Sequence, residues 1–278
     1  MTTAFLEECW SAPTVYRGGL FDGQVALVAG GGSGIGCATA LLFARLGASV
    51  VICGRDTSKL DTVAAFASKH KADVLPVPTD VRQPEAVDAL YRKIGSELGR
   101  LDMLVNSAGG QFPQEAIDYS DKGWRAVIDT NLNGTWNMMQ RAARYWRGSG
   151  EGGSIVNVIV VTDRGIPGVA HTVAARAGVI GAMRTVAVEW APLNIRVNCV
   201  APGLIATRGL DVYPPEAVKE FPRANPMRRL GTPMELAQAC VYLSGPSGSF
   251  VTGDVLTVDG GGRLWGEIWT AGRPRAFD

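Results

Sequence analysis

A short apolar run, VALVA (25–29), passes without a break into Gly30-Gly31-Gly32-Ser33-Gly34-Ile35-Gly36 and then into an apolar-periodic stretch reaching about Leu46. This feature constrains the chain more than any other. So short an unbroken apolar run is a strand buried on both faces. Glycines at its end let the backbone turn tightly and come close to a ligand. The helix that follows presents free N–H groups and a positive dipole end, which together favour an anion. Strand, glycine turn and helix in this order open a nucleotide-binding βαβ unit. The alternative is a plain tight turn.

The alternation then repeats. SVVIC (49–53) is a second buried strand. Helix patterns follow at about 57–70, 84–98, 121–147, 172–191 and 233–244, with strands at 73–77, 101–105, 154–161, 195–200 and 255–261. Strands alternating with helices predict a single-domain α/β fold of the Rossmann type, a doubly wound parallel sheet of about seven strands with helices on both faces. Residues 1–20, mixed and holding Pro13 and Gly18-Gly19, read as an N-terminal arm. Residues 21–278 read as the catalytic domain, with a substrate lid at about 204–229 where Pro, Gly and Arg gather.

Bulk composition narrows the function classes. The net charge of +1 with 19% charged residues predicts no nucleic-acid surface. No stretch approaches the apolar length of a membrane span. The five cysteines are scattered without a CxxC pair, and the two histidines sit in no metal-ligand spacing, so no metal is expected. Glu7 and Glu8 replace the basic start of a secretion signal, and a cytoplasmic address is expected.

Further motifs follow in order. Asp80-Val81 stands after the third strand, and Asn106-Ser107-Ala108-Gly109 after the fourth. Asn131 lies in TNLNG, Pro202-Gly203 precedes Thr207, and Asp259-Gly260-Gly261 closes the chain's last strand. With the GxxxGxG spacing of glycines 30, 34 and 36, this set resembles the short-chain dehydrogenase/reductase family over roughly residues 20–262. Ala29 stands in the Thr position of the family's TGxxxGIG turn, and Ser107 replaces the second Asn of its NNAG. The resemblance implies a nicotinamide cofactor held by Gly30, Ser33, Gly34, Ile35, Gly36, Asp80, Val81, Asn106, Ala108, Gly109, Pro202, Gly203 and Thr207. It implies that Asn131 is structural and catalytic, and that the subunits form a homotetramer or homodimer.

Cofactor choice is read after the second strand. An acid there bonds the ribose 2′-hydroxyl and repels a 2′-phosphate. Here Gly54 and Arg55 stand in its place, and a guanidinium grips phosphate. NADPH is therefore expected. The alternative gives Arg55 a surface pairing with Asp56.

The family's catalytic pattern breaks at its other three places. Where Ser would fall on the fifth strand stand Ile159 and Val160. Thr172 occupies the tyrosine position and Arg176 the lysine position. A threonine hydroxyl is too weak an acid to replace a tuned phenol, and arginine cannot relay a proton as lysine does. Arg176 can still hold the nicotinamide ribose. Reducing a carbon–carbon double bond conjugated to a thioester asks for less. Hydride goes to the β-carbon, charge collects on the thioester oxygen, and a hydrogen-bond donor stabilises it there.

These departures resemble one branch of the family. Gly109-Gly110-Gln111-Phe112, Lys122-Gly123-Trp124, SIVNVIV and His171 with Ala174-Ala175-Arg176-Ala177-Gly178-Val179 look like the peroxisomal trans-2-enoyl-CoA reductases. The 2,4-dienoyl-CoA reductases are cousins, although Val161 stands where the mitochondrial form has its tyrosine. The resemblance implies NADPH-dependent reduction of a 2-enoyl thioester, a small-molecule acyl substrate.

Thr172 and His171 are the candidate donors to the thioester oxygen, with Asn131 and Arg176 beside them. Alternatively Thr172 caps its helix and His171 is a satisfied helix-start residue. Gln111, Phe112 and Thr162 are expected to face the substrate, and Asp163 to pair with Arg164. Arg208, Lys219, Arg223, Arg228 and Arg229 make the lid basic enough for phosphates, or form a solvated mixed face with Asp211, Glu216 and Glu220. Two further readings remain open. One is a carbonyl reductase with an improvised donor, and the other a catalytically silent NADPH-binding protein.

Overall fold

The computed structural model describes residues 1–265. Seven parallel strands form one sheet in the order β3-β2-β1-β4-β5-β6-β7. They are β1 (Val25–Ala29), β2 (Ser49–Gly54), β3 (Val74–Pro78), β4 (Met103–Asn106), β5 (Gly153–Val158), β6 (Ile195–Pro202) and β7 (Val255–Val258). The sheet and its two helical layers match the fold read from the sequence.

Alternation along each strand splits the core in two. Ala26 and Val28 of β1 point to the layer formed by α1 (Thr3–Ser11), α2 (Gly34–Arg45), α3 (Thr57–Lys69) and α9 (Pro233–Ser244). Val25, Leu27 and Ala29 point to the layer of α4 (Pro84–Leu98), α6 (Gly134–Ser149) and α7 (Ala170–Trp190). Local chemistry sets the helix ends. Pro84 opens α4, and left-handed Gly99 at φ 71° closes it. Thr232 and Glu235 form a reciprocal capping box on α9. Fully buried Trp146 of α6 donates its indole N–H to the Leu101 carbonyl at 2.6 Å.

The structure corrects three boundaries. The long helix expected over 121–147 is two helices, α5 (Asp121–Ile128) and α6, joined by a π-helical turn over Asp129–Asn133. A π-turn is one of the few ways to insert a residue into a helix without breaking it, and it concentrates at functional positions. The fifth strand ends at Val158, which pairs with Val200 of β6 one residue beyond Asn157, the last residue of β5 to pair with β4. The seventh ends at Val258, where Gly260 and Gly261 take φ values of 62° and 79°. Residues 1–20 contain α1, whose Leu6 and Cys9 join the core beside α2. Within 204–229 lie two 3₁₀ turns, Arg208–Val212 and Phe221–Ala224, and the short α8 (Pro215–Glu220).

The strand order reverses between β1 and β4. In open parallel sheets the crevice outside the carboxyl ends of two such strands is where ligands bind. The glycine turn, Asp80-Val81, Asn106–Gly109, Pro202-Gly203 and Asp259–Gly261 all lie at the carboxyl ends of strands along that edge.

Candidate active site

The crevice begins with a turn that only glycine can make. Gly30 sits at φ 78°, and a Cβ on it would lie 2.7 Å from the Ala108 nitrogen. A Cβ on Gly36 would lie 2.3 Å from the Gly30 oxygen, and one on Gly31 2.6 Å from Ile52 Cγ2. Ser33 stands at the N-cap of α2 but makes no side-chain cap bond, and the helix ladder starts only with the Cys37 N–H to the Ser33 carbonyl. The amides of the first turn are thus left for an outside acceptor. Across the crevice Thr207 closes the space, its Cγ2 3.4 Å from a Cβ placed on Gly34. This donor-rich turn, with its backbone cradle, fits a dinucleotide pyrophosphate.

The loops beyond β2 and β3 carry Arg55, Asp56, Asp80 and Val81. Asp56 caps α3 and is bonded by Ser58 and Lys59, so the expected alternative pairing with Arg55 does not form. Arg55 is exposed and has no ion pair among the described residues. Asp80 is gripped by Arg82 through Nε at 2.9 Å and Nη2 at 2.6 Å. That hydrogen bonding, with a smaller pull from Arg55, holds the Asp80 carboxyl below its ordinary range. Val81 is buried against Gly134, and its carbonyl accepts from Asn137. Ile35 packs partly into the core beneath the turn.

On the other wall the loop after β4 is locked from behind. Asn131, in the π-turn, bonds the Gly110 N–H and carbonyl with its amide, both at 3.0 Å. Arg176 is buried and donates to the carbonyls of Asn131 and Ala108, both at 3.2 Å. A Cβ on Gly109 would lie 2.3 Å from its Nη2. No carboxylate pairs with this guanidinium among the described residues, and burial pushes its pKa down to about 10. It remains a cation throughout the neutral range. Asn106 lies in the sheet, its Nδ2 bonded to Asn157 Oδ1 at 2.8 Å and its Oδ1 buried without a partner. Gly203 packs on the Asp259 backbone and is bonded to the Val258 carbonyl.

Thr172 and His171 open α7. The N-cap is Val169, so Thr172 does not cap its helix. The Thr172 N–H donates to His171 Nδ1 at 2.7 Å, and its hydroxyl lies 3.3 Å from the same nitrogen. With Nδ1 accepting, the ring proton belongs on Nε2, which is buried with no hydrogen-bond partner. Burial presses the His171 pKa down, opposed by the backbone of Phe112 and Val169. His171 therefore offers a hydrogen bond from a neutral ring and is poorly suited to act as a proton-transferring imidazolium.

Gln111 and Phe112 do reach this region. Gln111 Nε2 donates to the Tyr213 hydroxyl of the 204–229 segment at 2.6 Å. Phe112 meets the His171 ring edge-on at 4.5 Å, and Tyr119 stacks flat on it at 4.6 Å. Tyr119 and Tyr213 are the two aromatic members that the sequence reading missed, since each sits in irregular chain where no periodicity marks it. Thr162 is half-buried beyond β5. Asp163 pairs with Arg263 at 3.3 Å instead of its neighbour Arg164, which reaches the Trp265 carbonyl. Among the described residues no group of His, Cys, Asp or Glu could hold a metal ion, and no helix is long and apolar enough to cross a membrane.

A doubly wound parallel sheet with a glycine turn at its switch point defines a dinucleotide-binding oxidoreductase. A family model described as enoyl-(acyl carrier protein) reductase matches residues 29–262, and the chain belongs to the short-chain dehydrogenase/reductase family. It is 38% identical over 241 residues to the 3-oxoacyl-(acyl-carrier-protein) reductase FabG of Thermotoga maritima, covering 86% of this chain and 98% of that one. It is 38% identical over 251 residues to the peroxisomal 2,4-dienoyl-CoA reductase of Pongo abelii, covering 88% and 85%. A solved structure of the citronellol catabolism dehydrogenase AtuB from Pseudomonas aeruginosa superposes with a TM-score of 0.81 at 38% identity, covering 91% of this chain and all of that one.

Proposed function

We propose that this protein is an NADPH-dependent reductase of the carbon–carbon double bond in a 2-enoyl thioester. The observation that carries the reading is the pair on α7. Thr172 and Arg176 stand where the family's phenol and amine would stand, and Arg176 is a buried group, charged throughout the neutral range, whose hydrogen bonds among the described residues go to backbone carbonyls. Such a site has no tuned acid for a ketone oxygen. It does have hydrogen-bond donors and a fixed positive charge for an oxygen that becomes negative without being fully protonated. Relatives named 2,4-dienoyl-CoA reductase support the same chemistry.

NADPH, when bound, would supply the hydride. The chain's part is positional. The α2 amides and Thr207 would hold the pyrophosphate, and Arg55 the 2′-phosphate. Arg176 and Asn131 fix the loop carrying Ala108 and Gly109 against the nicotinamide side. The Thr172 hydroxyl would donate to the thioester oxygen, and the His171 Nε2–H, buried with no partner among the described residues, would be a second donor. Phe112 and Tyr119 would form the acyl wall.

The test is a panel of 2-enoyl-CoA esters, ketones and aldehydes mixed with protein and NADPH, following loss of the reduced nicotinamide. Turnover confined to enoyl esters, with saturated product, is expected. The relative named 3-oxoacyl-(acyl-carrier-protein) reductase favours a second reading, a carbonyl reductase. Turnover of ketones would establish that reading and overturn the first.

A further inference from the structure

We propose that Trp265 and the three arginines gathered around it, Arg164, Arg228 and Arg263, bind the phosphorylated nucleotide end of a coenzyme A thioester. The proposal rests on the reading of the substrate as a thioester. The four residues come from three separate stretches: the connection from β5 to α7, the end of the 204–229 segment and the turn after β7. The Arg228 guanidinium lies 5.2 Å from the centre of the Trp265 ring. Arg164 Nη1 donates to the Trp265 carbonyl. Arg263 Nη1 bonds Thr257 Oγ1 at 3.2 Å and Asp163 Oδ2 at 3.3 Å. The carboxylate of Asp259, in the same turn, accepts from the N–H groups of Gly261 and Arg263. Three exposed guanidiniums against these two acids leave a positive patch beside an indole.

The neighbouring arginines show what is particular here. Arg208 pairs with Asp211, Arg223 with Glu220 at 2.8 Å, and Arg229 with Glu235 at 2.6 Å. Arg228 has no acid among the described residues, although it belongs to the same segment. It also holds a left-handed backbone, at φ 55°, which an L side chain rarely adopts. The bonds from Arg228 N to the Asn225 carbonyl and from Asn225 Nδ2 to the Arg229 carbonyl keep it there. Strain of this kind persists where the surroundings over-determine it, and it aims the guanidinium across Trp265.

The chemistry fits a phosphorylated adenosine. Guanidiniums form forked, charge-assisted bonds to phosphate, and an indole offers a stacking face to a base. Arg164 follows Thr162 and Asp163 directly, so the patch begins in the connection that leaves β5 on the proposed substrate side. A thioester whose acyl end lies against Phe112 and Tyr119 would carry its phosphates outward over this patch.

The experiment titrates free CoA and 3′-dephospho-CoA into protein saturated with NADP, by calorimetry. Wild type is expected to bind CoA about tenfold more tightly than the dephospho form, the worth of one charge-assisted phosphate contact. The Arg164→Ala/Arg228→Ala variant should lose that preference and weaken CoA about tenfold or more. Both side chains are exposed, so an unchanged melting temperature will show that the fold is intact. Arg223→Ala, whose arginine already has its acid, should bind as wild type. CoA binding indifferent to Arg164, Arg228 and the 3′-phosphate would overturn the site. So would turnover of acyl-carrier-protein esters without any CoA binding. Equal efficiency on enoyl-CoA and enoyl-pantetheine would remove the site and leave the reaction standing. CoA binding through these arginines with no enoyl turnover would do the reverse.

Discussion

The two ends of the crevice are built from different materials. At the nucleotide end the working surface is backbone. Gly30, Gly31 and Gly36 are set by contacts of 2.3–2.7 Å to any added Cβ, and the groups left for the ligand are main-chain amides. At the other end the surface is side chain: Gln111, Phe112 and Tyr119 from the connection after β4, His171 and Thr172 from the first turn of α7, and Tyr213 from the 204–229 segment. A backbone site has few solutions, because the residue must be absent as much as present. A side-chain site can be rebuilt from other residues while the sheet stays as it is. That difference fits a chain that keeps the glycines of the nucleotide turn, even with Ala29 and Ser107 beside them, while three catalytic positions are replaced.

The backbone end is most sensitive at Gly36. Its Cβ would meet the Gly30 carbonyl oxygen, backbone against backbone, with nothing flexible to give. Gly36→Ala should abolish NADPH binding and cost ~3 kcal/mol or more of stability, read by fluorescence titration and denaturant melts. A variant that still binds cofactor tightly would show that the turn tolerates what its contacts forbid. Next is Arg176→Met, which fills the volume but removes the charge. It should lower kcat/KM by about 100-fold. The wild-type rate should show no ionisation of this residue from about pH 6 to 9, since its pKa of about 10 keeps it charged.

Most of the fold was legible before any coordinates. The buried strands are unbroken apolar runs because helices cover both faces of the sheet, and α4 begins and ends where Pro84 and Gly99 say it should. The glycine turn was legible for the same reason that it is rigid. What escaped was whatever depends on contacts between distant segments. The π-turn that holds Asn131 has no marker in TNLNG. Asp163 looked destined for Arg164, yet the chain returns Arg263 to it after another 100 residues. Tyr119 lies in a loop with no period to betray it, and only the fold brings it flat against His171.

Smaller effects sharpen the contrast. Arg55→Ala should weaken NADPH by about 10-fold or more and leave NADH unchanged, because only the 2′-phosphate needs a guanidinium. Equal losses for both cofactors would place Arg55 elsewhere than at the phosphate. The smallest effect is at His171. In an unfolded chain it titrates near 6.5, and burial holds it lower when folded. The unfolded state therefore takes up the proton more readily below about pH 6.5, and stability falls as the solution is acidified. His171→Gln should flatten this acid slope by at most a few degrees in Tm. An unchanged slope would assign the acid sensitivity to other groups.

The arm beneath the sheet has a consequence for the order of assembly. Arg45, in the last turn of α2, donates to the carbonyls of Trp10 and Ala12, and the Tyr16 hydroxyl donates to the carbonyl of Gln238 on α9, 222 positions along the chain. During synthesis Tyr16 leaves the ribosome long before its acceptor is made. The early segment can fold its own helix and rest against α2, but its last tether must wait for α9. One of the first parts of the polypeptide to appear is thus fastened only after α9 has been made, ahead of the edge strand β7 alone.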